Sequence, residues 1–392
     1  MTPSARVQTA IELLDRIIAS ANEKGPPADR ILADWFKNNR FAGSKDRRAI
    51  RELVYGAVRA CGPVPSSGRA AMLRYADTES VIANLFDSSR YGPAMLDETD
   101  RKAQGGVAPN WLMQKLHGSD VEGLDASALL DRAPLDLRVN ALKTDRSSLN
   151  LPVSAEQTNA PYGLRIAAGT NVEQWDAYRE GLVEIQDTGS QLACLAVAAQ
   201  PGETVVDLCA GGGGKTLALA AAMADRGRVI ASDTDRGRLS RLVPRARRAG
   251  ASIVETRLLD PGKERDGLAD LCSAADAVLI DAPCSGTGTW RRNPEARWRL
   301  DERELERLTA LQSRLLDIGA ELVKPGGRIV YVTCSLLDEE GSAQFVSFLE
   351  RTPHFTASEL ALPAGEQRRD GIRLMPSRDG TDGFFIARAE RS

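Results

Sequence analysis

Histidine is nearly missing from this chain of 392 residues: only His117 and His354 occur, both distant in sequence from the six cysteines. The cysteines (Cys61, Cys194, Cys209, Cys272, Cys284 and Cys334) form no CxxC pair, so neither a metal site nor a disulfide framework is expected. No run of about 18 uninterrupted apolar residues is present, the length a bilayer-spanning helix requires. The opening segment MTPSARVQTAIELLDRIIAS carries Arg6, Glu12, Asp15 and Arg16 inside its apolar pattern, unlike the core of a signal peptide. An excess of positive charge is lacking too, with 51 Lys+Arg against 54 Asp+Glu and a net charge of -3. Any nucleic-acid surface must therefore be a local patch. These absences lead to the expectation of a monomeric cytoplasmic protein, with no membrane partner and no metal, whose reduced thiols are open to chemistry.

What is present divides the chain in three. Ile11, Leu14, Ile17 and Ile18 recur at helical spacing, Ile31, Leu32, Trp35 and Phe36 repeat the pattern, and Lys45 to Arg59 form a third amphipathic segment. Residues 1–125 are read as a helical domain. Two β-type runs, LDLRVNAL and Gly181 to Ile185, flank a Pro/Gly-containing stretch and mark residues 126–185 as a small α+β segment. From Gln186 onward apolar strands alternate with helical stretches, which makes 186–392 an α/β domain on a parallel sheet with crossover helices.

In that domain the strand ending at Asp207 runs into CAGGGGKT and then an Ala/Leu helix. Backbone N–H groups of such a turn can meet a polar or anionic ligand at a helix N-terminus. A phosphate-binding P-loop would need glycine at Cys209, and a dinucleotide fingerprint would need it at Thr216, so both nucleotide readings lose ground. An adenosylmethionine site fits better, because Asp233 ends the next strand 22 positions after Gly211, where a carboxylate can hold ribose hydroxyls.

Two further strands, AVLIDAP and RIVYVT, each end in a cysteine flanked by small polar residues, Cys284 and Cys334. Adjacent in a parallel sheet, both would open onto the carboxyl-end crevice. Cys61, Cys194 and Cys272 read instead as small apolar residues. Carbon 5 of cytosine is a poor nucleophile; methylating it requires a thiolate to add at carbon 6 and a later removal of the carbon-5 proton. Two thiols, with Asp281 to bind the ring nitrogen or the exocyclic amine, cover these tasks.

DLCAGGGGKT, DAPCSGTGTWRRNPEARW, YVTCSLLDEE and DGFFIAR together resemble the RNA (cytosine-5) methyltransferases of the Sun type, from about Leu135 to the C-terminus. The resemblance implies a Rossmann-like class I methyltransferase sheet, with an N-terminal domain similar to a shortened NusB-like helical domain, and S-adenosyl-L-methionine as cofactor. It assigns Cys334 to attack and Cys284 to product release. It carries cofactor contacts onto Cys209, Ala210, Gly211, Gly212, Gly213, Gly214, Lys215, Asp233, Asp260 and Asp281. RVNALKT and QDTGSQLA look like motifs that precede the family's catalytic sheet, which makes Arg138 and Asn140 expected RNA contacts. Gly212 stands where the family usually has proline, Gly341 where it has asparagine, and Ser377 where histidine is frequent.

Arg291, Arg292, Arg297 and Arg299 alternate with Trp290 and Trp298 just after Cys284. Arg291, Arg292 and Trp298 are read as charges and stacking surface beside a target base that must leave its helix to reach a thiolate. Ribosomal RNA is the expected substrate. Transfer RNA, or a binding-only role in ribosome assembly, is the alternative.

Overall fold

The computed structural model describes residues 1–392, and its N-terminal apolar spacing folds as helices α1 (Pro3–Asn22), α2 (Ala28–Asn38), α3 (Ser44–Ala60) and α4 (Gly68–Tyr75). Thr2 caps α1 by accepting the Ala5 N–H at 3.2 Å, ahead of Pro3 in the first turn. Leu14 and Ile17 of α1, Ile50 and Val54 of α3 and Met72 of α4 share one buried core, each side chain contributing roughly 1.5–3 kcal/mol of apolar burial. Glycine is required where α4 begins, since a Cβ at Gly68 would lie 2.1 Å from the Ile11 carbonyl oxygen. Close approach of α4 to α1 depends on that missing side chain.

The chain forms two units: Met1–Asp131 with Trp290–Asp301, and Arg132–Thr289 with Glu302–Ser392. Trp290–Asp301 therefore folds with the helices, although its position in sequence falls inside the α/β region. There Trp298 is 4% exposed and packs in the helical core.

The second unit carries two sheets. Strands β1 (Leu135–Val139), β2 (Glu156–Gln157), β3 (Gly163–Ile166) and β4 (Val183–Ile185) make an antiparallel sheet in the order β2-β3-β1-β4. The larger sheet contains β5 (Thr204–Asp207), β6 (Arg228–Asp233), β7 (Val254–Leu258), β8 (Ala275–Asp281) and β9 (Val323–Thr333), followed by β10 (Phe355–Ala357), β11 (Glu366–Arg368), β12 (Gly371–Leu374) and β13 (Phe384–Arg391). Its order is β11-β12-β13-β9-β8-β5-β6-β7, with β10 beside β13. Strands β5 to β9 are parallel, whereas β13 runs antiparallel to β9. This is a Rossmann-like α/β sheet, apolar on both faces because helices cover both. From β5 the chain builds outward to β6 and β7, then returns to the other side of β5 with β8. That reversal opens a crevice at the carboxyl ends of β5 and β8. No helix is long and apolar enough to cross a membrane.

Candidate active site

Asp207, Asp233, Asp281, Cys284 and Cys334 lie at or just beyond the carboxyl ends of their strands. Strand β5 delivers Asp207 and then the glycine turn into the helix Gly214–Ala222. Gly211 and Gly213 adopt φ of +55° and +82°, and a Cβ on Gly213 would lie 2.1 Å from Leu242 Cδ1. Both positive φ and crowding exclude larger residues there. Asp233, at the end of β6, accepts the Gly211 N–H at 2.8 Å and the Asp235 N–H at 2.8 Å. The carboxylate thus anchors the turn from the neighbouring strand. Cys209 lies in the turn, where burial and the carboxylates of Asp207, Asp281 and Asp233 push its thiol well above the usual range. It is a neutral wall of the crevice.

Asp207 is fully buried and accepts from the Thr216 hydroxyl at 2.7 Å, while its Oδ1 has no partner. Burial pushes its carboxyl up to about 7. Lys215 donates to Asp281 Oδ2 at 2.6 Å and also lies 5.7 Å from the centre of the Phe384 ring. Burial opposes the lysine charge, but Asp281 outweighs it and raises Lys215 overall. An orphaned carboxylate oxygen, a ligand-accessible turn and a carboxylate at the end of β6 together suit a ligand with cationic and hydroxyl groups, as S-adenosylmethionine has.

Strands β8 and β9 pair in parallel register, Asp281 opposite Val332, so the two loops beyond them emerge side by side. Cys284 Sγ and Cys334 Sγ lie 3.4 Å apart. Hydrogen bonding to Cys334, reinforced by burial, raises the Cys284 thiol well above its usual range. Beneath them Glu340, fully buried, accepts the Ser285 N–H at 2.8 Å, the Gln312 side-chain amide at 3.0 Å and the Ser285 hydroxyl. Ser335 stands 3.1 Å from both the Ser285 and Thr287 hydroxyls. The loops carrying the two thiols are joined through this carboxylate and these hydroxyls. Gly341 follows because a Cβ there would lie 2.9 Å from the Phe385 ring.

Sequence reasoning missed Glu340: a DEE run reads as solvated surface, and only tertiary structure turns one of its members inward. Several expected RNA contacts are buried. Arg138 is buried and donates to Gln186 Oε1 at 2.6 Å and the Gly214 carbonyl at 2.8 Å. Asn140 is buried and donates to the carbonyls of Gly181 and Ala249, each at 2.8 Å. Trp298 donates its indole N–H to the Gly62 carbonyl at 3.2 Å and has no free face. Arg291 is 6% exposed and its neighbour Arg292 half-buried; both belong to the helical unit. Asp260 is exposed just after β7, and its only hydrogen bond is made by its backbone carbonyl, to the Lys263 N–H.

Residues 194–390 match the family model described as 16S rRNA methyltransferase RsmB/F. The chain is similar to ribosomal RNA small subunit methyltransferase B of Citrobacter koseri, with 35% identity over 316 residues, 78% of this chain and 71% of that protein. A probable ribosomal RNA small subunit methyltransferase B of Synechocystis is 33% identical over 72% of this chain and 67% of its own length. Among solved structures, PH0851 superposes with a TM-score of 0.79 at 27% identity, covering 100% of this chain and 99% of that one. A methyltransferase homologue from Pyrococcus horikoshii gives 0.61 at 25% identity over 72% of this chain and 99% of its own.

Proposed function

Because the chain belongs to the 16S rRNA methyltransferase RsmB/F family, we propose that it methylates carbon 5 of a cytosine in small-subunit ribosomal RNA, with S-adenosylmethionine as donor. The 3.4 Å approach of Cys284 and Cys334 beside the Lys215–Asp281 pair carries this reading. Bound in the crevice, the cofactor supplies an electrophilic methyl group on a sulfonium. Gly211 to Lys215, Asp207 and Asp233 would hold it.

Cys334 adds through its sulfur to cytosine carbon 6, forming a C–S bond and enriching carbon 5. Hydrogen bonding to Cys334 and burial raise the Cys284 thiol, which suits a proton carrier. Asp281 keeps one carboxylate oxygen on Lys215 and the other off any protein donor, so it can accept from the exocyclic amine of cytosine, a donor that uracil lacks. After methyl transfer the Cys284 sulfur, having given its own proton to water, takes the carbon-5 proton, the C5=C6 double bond re-forms, and the C–S bond breaks with its electron pair on Cys334. Lys215, by fixing Asp281, orients the base rather than reacting with it.

Incubating the Cys284→Ala variant with small-subunit ribosomal RNA and S-adenosylmethionine tests this. A protein–RNA adduct that survives denaturing electrophoresis, and that disappears in the Cys284→Ala/Cys334→Ala double variant, is expected. Wild-type protein that transfers no methyl group to any RNA refutes the activity, and an adduct that persists without Cys334 reverses the roles of the cysteines.

A further inference from the structure

Four consecutive glycines make an uncommonly pliable ligand turn, since each residue samples both signs of φ when unbound. The structure shows two guanidinium groups on its carbonyl side. Arg138, from β1, donates to the Gly214 carbonyl at 2.8 Å. Arg245, on the helix Leu242–Ala249, donates through Nη1 to the Gly212 carbonyl and through Nη2 to Glu184 Oε2 at 2.9 Å. Glu184, on β4 and 2% exposed, spends its other oxygen on Arg248. Because a peptide is planar, holding the Gly212 carbonyl also fixes the Gly213 N–H, which donates to the Ala210 carbonyl at 2.9 Å. Holding the Gly214 carbonyl likewise sets the N–H of Lys215, the residue paired with Asp281.

We propose that Arg138 and Arg245 are positioning residues for the cofactor: they clamp alternate carbonyls of the tetraglycine turn and keep it in ligand-accepting shape. This rests on the cofactor reading above. Burying the Arg138 guanidinium carries a desolvation cost, visible in its lowered pKa, and that cost is offset at the turn by bonds to Gln186 and Gly214. Arg245 and Glu184 extend the clamp to the antiparallel sheet, so the small sheet and the ligand turn are one hydrogen-bonded structure.

The test uses the full-length protein and S-adenosylhomocysteine, measured by titration calorimetry. Arg245→Ala should raise the Kd about tenfold, the effect of one lost hydrogen bond to a charged group. Its fold should persist, because Glu184 retains Arg248. In steady state, KM for S-adenosylmethionine should rise while kcat at saturation holds. Gly212→Ala should then recover about two- to fivefold in affinity in the Arg245→Ala background by stiffening the turn; a Cβ at 212 meets only Arg245 Nη1, at 3.3 Å, which that background lacks. Arg138→Met, which removes the donor shared by Gln186 and the Gly214 carbonyl, should weaken binding in the same direction. Unchanged Kd in Arg245→Ala overturns the proposal, as does a loss of affinity that tracks a fall in Tm and is not recovered by Gly212→Ala. Wild-type protein that fails to bind S-adenosylhomocysteine instead refutes the cofactor reading itself.

Discussion

Lys215 and Asp281 meet at 2.6 Å across the crevice, the first from the turn after β5 and the second from the end of β8. The pair joins the proposed cofactor side of the site to the proposed base side, and one charge orients the other. Lys215 is 11% and Asp281 31% exposed in its side chain, so the bond is shielded enough to hold a fixed geometry. Replacing Lys215 by Met should lower kcat/KM for methyl transfer about 10- to 100-fold, the effect of losing a charge-assisted hydrogen bond of roughly 1.5–3 kcal/mol. A Lys215→Met enzyme with wild-type kcat/KM would show that the pair does not orient the base.

Asp207 makes folding stability depend on pH. Its carboxyl titrates near 3.8 in the unfolded chain and at about 7 when buried beneath the turn. Between those values the native state binds more protons than the unfolded one, so this group's contribution to stability is full below about pH 4 and is lost as pH rises through about 7. The change approaches roughly 4 kcal/mol over that window, from about 3 pKa units. Glu340, also raised by burial, acts in the same direction. Urea midpoints of wild type and Asp207→Asn, measured from pH 4.5 to pH 8, should diverge with the wild type falling more steeply. Parallel curves would mean that Asp207 is already ionised in the folded protein.

Much of this site was legible from local sequence, because its chemistry sits where strands end. Apolar runs closing on Asp207, Asp233 and Asp281, and on the two cysteines, place these residues at one edge once the strands are parallel. The helical unit was legible from the spacing of Leu14, Ile17, Ile50 and Val54. Burial of charge was not. Arg138 lies at a strand position whose face depends on what packs against it, and RRNPEARWR has the composition of a solvated loop. Yet Arg297 is fully buried and donates to the Val58 and Cys61 carbonyls at 2.7 Å each, its guanidinium brought down to about 9 by desolvation. No periodicity announces a guanidinium that caps carbonyls more than 200 positions away, because that partnership exists only after the chain has returned to the helices. Cys272 shows the converse: it reads as a small apolar residue and is exposed.

Glu340 ties the loops that carry the two thiols together and should set their spacing. Its carboxylate gathers donors from Ser285, in the loop carrying Cys284, and from Gln312 on the helix Glu302–Leu322, while its backbone carbonyl accepts the Tyr331 hydroxyl at 2.6 Å. Ser335, next to Cys334, closes the network through the Ser285 hydroxyl. Replacing Glu340 by Gln removes a buried charge and puts an amide N–H beside the Ser285 hydroxyl, which must then accept and turn its own proton toward Ser335, so the Ser285 and Ser335 side must shift. Stability at neutral pH should change little, since the relieved desolvation and the mismatched hydrogen bond oppose each other. The spacing of the two sulfurs should loosen, and a misplacement on the order of 1 Å costs up to about 100-fold in rate. A fall in kcat of about tenfold or more is expected, with an unchanged Kd for S-adenosylhomocysteine and slower adduct formation in Cys284→Ala/Glu340→Gln than in Cys284→Ala. Equal adduct rates in those two backgrounds, with the fold intact, would show that the thiols hold their positions without this carboxylate.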